Sequence, residues 1–277
     1  MARPIPVPSW PNGADVAVSL TFDVDAECGW LGEGAEYEKR LTTLSEGRFG
    51  VVRGLPRILG LLEELDIKAT FYVPGDTAER HTEELAAVVA GGHEICHHGY
   101  LHLRSDHIGP EAQREEIERG LDAIKSCLGT VPQGYRSSSW EMTPETFMLL
   151  LEFGFVYDSS FMGDDRPYLE ECQGKSILEF PVHWSLDDWP HFEWTIDSGG
   201  NLNDPESFLR VWLGEFDSAW KERRHVTYTM HPEVIGRGYR IQILARFLES
   251  VMRRGNVWFA THGEVAAHVA SHAERVP

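Results

Sequence analysis

VAVSLTFDVD, residues 16–25, is a strand pattern that closes on two aspartates, Asp23 and Asp25. Side chains two apart on a strand face the same way, so both carboxylates point into one space. Carboxylates placed side by side repel, and one takes up a proton unless a cation sits between them. An aspartate can simply cap a strand end. Following an apolar strand, however, the pair points to a metal or to a catalytic couple.

Outward from this stretch the chain alternates. Residues 50–66 read as a helix, with apolar positions at three- and four-residue spacing. A strand is expected at 68–75, a helix at 82–92, a strand at 93–98 and a long amphipathic helix at 111–129. QGYRSSS (133–139), a helix at 144–154, VYDSS (156–160) and a strand at 176–184 follow. The rhythm then repeats as helix 205–224, strand 225–231, helix 240–255 and strand 257–261, with a short helix after it. Such alternation predicts an α/β protein with a parallel sheet, open or closed as a barrel, in one domain over residues 1–277. Segments 30–50 and 161–175 lack turn-bounded periodicity and read as long loops: lids, subunit contacts or flexible insertions.

At 277 residues and 42% hydrophobic content the chain can bury a full core. A formal net charge of −19 argues against nucleic acid or an anionic membrane as the main partner. No apolar run is long enough to span a bilayer. The opening MARPIPVPSWPNG is interrupted by prolines where a secretory leader needs an unbroken apolar run, so a cytoplasmic address is expected. Cys28, Cys96, Cys127 and Cys172 lie far apart without a C-x-x-C pairing and read as reduced thiols.

The third strand ends in HHGYLH, residues 97–102. His98 and His102 are four apart, the spacing that brings two imidazoles together on a helical turn. His97 points elsewhere, and it and His107 read as surface residues. With Asp25 the pair supplies two nitrogens and one carboxylate for a divalent metal, leaving positions open for water and substrate. Tyr135-Arg136 ends the fourth strand, Thr229-Met230-His231-Pro232 ends a later one, and Ser185-Leu186-Asp187-Asp188-Trp189 follows EFPVHW. All these groups leave the sheet at one end, where βα loops build the active sites of barrel enzymes.

With these motifs the chain resembles the polysaccharide deacetylase family, the NodB-homology carbohydrate esterases. Thr21-Phe22-Asp23-Val24-Asp25 matches the family's first motif and His98 to His102 its metal motif. Arg136, Asp188-Trp189 and His231 match its later motifs. Two departures stand out: D-x-D replaces the adjacent aspartates of secreted members, and RSSSW lacks the usual proline. D-x-D, HPEVIGR and LDDWPHF are closer to an intracellular branch that includes a peptidoglycan-deacetylase-like protein, an allantoinase and cyclic imide hydrolases. The resemblance implies a distorted (β/α)7-type barrel and a homo-oligomer, a tetramer in that branch.

It also implies roles. Zinc would be held by Asp25, His98 and His102. Asp23 would act as general base, held and kept ionised by Arg136. His231, oriented by Asp188, would protonate the leaving nitrogen. A backbone N–H near Ser137 would help to hold the oxyanion. Trp189, Tyr135 and Trp140 are the expected substrate contacts, with Trp30, Trp184, Phe192 and Trp194 nearby in sequence. The expected substrate is a small cyclic amide, imide or ureide, or an N-acetyl sugar. Two other classes stay open at this level: an iron(II) oxygenase, which also uses two histidines and a carboxylate, and a barrel that only binds a ligand. Glu27 is a weaker pocket candidate, a loop glutamate expected to face solvent.

Overall fold

The computed structural model describes residues 3–5, 9–197, 199–200 and 202–273, so part of the proline-bearing N-terminus lies outside the described residues. A short β1 (Arg3–Pro4) precedes β2 (Val16–Asp23), whose residues are all buried. Alternation along β2 sends Val16, Val18, Leu20 and Phe22 into the main apolar cluster. The opposite set, Ser19, Thr21 and Asp23, faces the polar interior of the curled sheet, where Ser19 meets His225 and Thr21 meets Arg136.

The other strands are β3 (Thr70–Val73), β4 (Glu94–His97), β5 (Gly134–Tyr135), β6 (Tyr157–Asp158), β7 (Tyr168–Cys172), β8 (Lys175–Glu179), β9 (Trp194–Thr195), β10 (Gly199–Gly200), β11 (His225–Met230) and β12 (Val257–Phe259). The main sheet runs β1-β7-β8-β6-β5-β4-β3-β2-β11 and is parallel from β8 through to β11. β12 pairs with the first half of β2, and β3 takes over the same flank further along. A parallel bridge from Asp187 to Thr229 joins the chain after β8 to β11, so the sheet curls back towards its own edge. That bridge brings the loops after β2, β4, β5, β8 and β11 to one end.

Helices cover the outer face. Leu55–Glu64, Pro205–Glu222 and Gly238–Arg254 each bury one stripe at helical spacing, as in Phe208, Leu209, Trp212 and Phe216. Among the described residues no helix is long and apolar enough to cross a membrane.

Three expectations need correction. Segment 30–50 is mostly helical, with helices at Cys28–Leu31 and Leu41–Phe49 and a 3-10 turn at Ala35–Lys39 between them. The second helix carries no apolar stripe because it packs through Gly47, where a Cβ would stand 2.2 Å from the Ala26 carbonyl oxygen. Segment 161–175 contains β7 and the start of β8, an antiparallel hairpin turning at Gln173-Gly174, both with positive φ. Only Tyr168 of β7 is fully buried, so no two-residue alternation marks it. The strand expected at 176–184 stops at Glu179.

Candidate active site

The loops at the curled end enclose a cavity of about 410 Å³, lined at its floor by Asp23, Asp25, His98, His102, Asp187 and His231. Its walls include Trp30, Trp140, Trp184 and Trp189. Trp140 stacks on Trp184 with centroids 4.2 Å apart, and Trp189 stands edge-on to His231 at 5.0 Å. Tyr37 and Asp197 also line the cavity, and Tyr37 and the neighbouring Arg40 both bond Asp197.

Asp23 and Asp25 reach this floor because β2 and its continuation keep the two-residue alternation; Val24 N–H still bonds the Tyr72 carbonyl of β3. His98 follows β4, and His102 returns to it through a loop. The HHGYLH segment is not a helical turn, contrary to the four-residue argument. Gly99 (φ +79) and His102 (φ 56) both adopt left-handed backbone, and the two imidazole centroids end 5.0 Å apart. Glu116, reaching in from helix Pro110–Leu128, holds this loop by accepting the N–H groups of Tyr100, Leu101 and Leu103. Nothing in the sequence signals that role.

The donor set fits a divalent metal. One atom from each of Asp25, His98 and His102 lies within 4.8 Å of the others. His98 Nδ1 sits 2.8 Å from the Arg136 carbonyl, so it donates there and leaves its Nε2 lone pair aimed at Asp25 Oδ1, 3.5 Å away. His102 Nε2 lies 3.6 Å from Asp25 Oδ2. Asp25 Oδ1 is buried and has no hydrogen-bond partner. Burial pulls the His98 pKa down despite Asp23 and Asp25, which favours the neutral ring. Burial would raise the Asp25 carboxyl, but His102, His98, His231 and Arg136 together hold it below the ordinary value. A neutral imidazole and an ionised carboxylate are the forms that bind metal.

Asp23 lies beside this set. Arg136, fully buried, donates to Asp23 Oδ1 at 2.6 Å and to Thr21 Oγ1 at 2.9 Å. The same guanidinium donates to the carbonyl and the hydroxyl of Ser159 and lies 4.0 Å over the Tyr72 ring. Asp23 Oδ2 is left facing His98 Nε2 at 3.8 Å.

On the other side, His231 Nδ1 donates to Asp188 Oδ1 at 2.8 Å, and its backbone N–H reaches both Asp188 oxygens. Its Nε2 points into the cavity, 3.9 Å from Asp25 Oδ2. Burial opposes the imidazolium, yet Asp187, the Asp188 bond and Asp25 outweigh it, so the His231 pKa is raised well above its usual value. The Asp187 carboxyl is pushed up to about 7 by burial, with His231 opposing and Asp188 reinforcing the rise.

Four readings do not survive. Tyr135 is buried beside β4, stacked on His97 at 5.3 Å, and belongs to an apolar cluster rather than the cavity lining. Its strand alternates, so placing Arg136 inside the curl turns Tyr135 outward. His97 is no surface residue; it is fully buried and bonds the Ile117 carbonyl through Nε2. Glu27 faces neither solvent nor cavity but pairs with His81 at 2.7 Å. The Ser137 N–H is already committed to Ser160 Oγ. Asp187 and Ser139, to which the sequence motifs assign no role, also line the cavity. The Asp187-Asp188 doublet was the one available signal.

The family model for polysaccharide deacetylases matches residues 12–157, more than half of the chain. The chain belongs to the polysaccharide deacetylase family. Among curated members, the peptidoglycan deacetylase of Helicobacter pylori is 27% identical over 280 residues, covering 91% of this chain and 95% of that protein. A crystal structure of a "putative polysaccharide deacetylase" from Mycobacterium smegmatis superposes with a TM-score of 0.93 at 37% identity, covering 99% of this chain and 96% of that one. A crystal structure of an allantoinase superposes at 0.84 with 26% identity, covering 96% and 93%. The fold is thus the curled (β/α)7-type half-barrel that the family resemblance implies.

Proposed function

We propose that this family member hydrolyses a non-peptide carbon–nitrogen bond in a small substrate, opening a cyclic amide, imide or ureide. The observation that supports it is the placing of an acid, His231, and a base, Asp23, on opposite sides of the Asp25–His98–His102 cluster in one cavity. A cavity of about 410 Å³ is within the range of small-molecule sites. Its indole walls suit a flat one.

A divalent metal such as zinc, held by Asp25, His98 and His102, would polarise a water and the substrate carbonyl. Asp23 Oδ2 takes the proton that water loses as its oxygen bonds the carbonyl carbon, while Arg136 donating to Oδ1 aims the carboxylate. His231 Nε2 gives its proton to the nitrogen as the carbon–nitrogen bond breaks, because an amide nitrogen leaves poorly as an anion. Asp188 fixes the His231 ring through Nδ1. Trp189 and the Trp140–Trp184 pair hold the ring against the floor.

A second reading, removal of an N-acetyl group from a sugar, is favoured by the extent of the match to the H. pylori peptidoglycan deacetylase. Purified protein loaded with zinc and assayed on succinimide-type rings, allantoin and N-acetylglucosamine oligomers separates the two. Turnover of one class by wild type, abolished in Asp23→Asn, is the expected result. No turnover of any of the three by metal-loaded protein overturns the hydrolase. We propose further that residues 1–277 form one domain and that the chain assembles as a homo-tetramer; light scattering at a monomer mass would refute the assembly.

A further inference from the structure

Beneath the cavity lies a pair of acids that the proposed chemistry does not use. Asp158 and Glu179 are directly paired in the parallel β6–β8 ladder, and both are fully buried. Asp158 Oδ1 accepts the Ser160 hydroxyl at 2.9 Å. Glu179 Oε1 accepts the backbone N–H groups of Ser160 and Phe161, each at 3.0 Å. The remaining oxygens, Asp158 Oδ2 and Glu179 Oε2, are buried and have no donor. Register pairing sets the two carboxyl groups side by side on one face of the ladder. Two ionised carboxylates so placed would repel in a medium of low dielectric. One proton between the orphaned oxygens removes the repulsion and satisfies both.

What this pair carries reaches the site. Ser160 Oγ donates to Asp158 and accepts the Ser137 N–H at 2.9 Å. Neighbouring Ser159 receives two Arg136 donors, and Arg136 in turn aims Asp23. Ser137 opens the turn in which Ser139 (φ 54) and Trp140 (φ 58) hold left-handed backbone, and both line the cavity. Two consecutive non-glycine residues in that region persist only when their surroundings hold them.

We propose that Asp158 and Glu179 share one proton and act as positioning residues, locking the Ser159–Ser160 platform that sets the Arg136–Asp23 contact and the Ser137–Trp140 turn. Burial and then Asp158 raise the Glu179 carboxyl well above the ordinary value, in keeping with a proton held by the pair. Asp158 is pushed to only about 6 by burial, with Glu179, Ser160 and Arg136 restraining it. The consequence for turnover rests on the hydrolase reading; the shared proton does not.

Infrared spectra at neutral pH therefore come first. Wild type should show the carbonyl stretch of a protonated carboxyl, sensitive to deuterium, and Glu179→Gln should lose it. Its absence from wild type overturns the shared proton whatever the enzyme does. Glutamine copies the protonated acid, accepting both N–H groups and donating to Asp158, so Glu179→Gln should keep kcat. Ser160→Ala cuts the link to Ser137 and should lower kcat by up to about 100-fold, the scale on which small misplacements of reacting groups act, with KM changed by less than about threefold. A Glu179→Leu variant that folds should lose kcat likewise. Wild-type kcat in Ser160→Ala, or a loss in Glu179→Gln as large as in Glu179→Leu, overturns the positioning role.

Discussion

Replacing Arg136 by methionine tests the centre of the site. The guanidinium is fully buried, as is Asp23, and methionine fills most of the volume without the charge. Removing one partner of a buried ion pair costs about 3–5 kcal/mol, because the other charge is left uncompensated. The Ser159 carbonyl also loses its donor, worth about 1–3 kcal/mol, and the contact over Tyr72 is lost too. Such terms overlap, so the net expectation is about 5 kcal/mol. For a domain of this size each kcal/mol moves Tm by about 2–4 °C, which gives a fall on the order of 10 °C. The measurement is calorimetry on metal-free protein, so that no bound cation compensates Asp23. Adding Asp23→Asn removes the stranded charge, so the double variant should recover several kcal/mol relative to additivity. A Tm within about 2 °C of wild type for Arg136→Met, or strict additivity in the double variant, would refute the reasoning.

Three further expectations follow from the same geometry. His231→Ala should lower kcat by about two to four powers of ten while metal content by elemental analysis stays at the wild-type level; joint loss of metal would move His231 into the ligand set. His98→Ala and His102→Ala should each lose bound metal, whereas His97→Ala should keep metal and lose thermal stability, since that ring is buried and bonded; equal metal loss in all three would invalidate the cluster. The raised pKa of His231 means that the imidazolium's contribution to stability is complete below its ordinary value of 6.5 and fades as pH climbs through the higher folded value. The alkaline limb of kcat should follow it, and Asp187→Asn, which removes the largest attraction, should move that limb to lower pH; an unmoved limb would assign it to another group.

The main β–α alternation, and the gathering of Asp23, Asp25, His98, His102 and His231 at one end of the sheet, were legible because their signals are local. Period-two alternation carries Asp23 and Asp25 to the same side, and a strand end is visible wherever an apolar run stops. The reading failed where contact partners are distant in sequence. Tyr135 sits at a strand end like Arg136, but only the direction of the curl decides which of the two faces inward. Helix Leu41–Phe49 is invisible to a pattern search because its contact is a glycine against a backbone carbonyl.

By itself the sequence determined which groups stand at the strand ends, since side-chain direction follows from the backbone period alone. It also determined the family, through motifs short enough to read in one dimension. Tertiary structure alone decided that HHGYLH is a loop held by Glu116, that Asp187 joins Asp188 against His231, and that Asp158 meets Glu179 below the floor. Each of those depends on the curl of the sheet and the low dielectric inside it. Neither is written in any single segment.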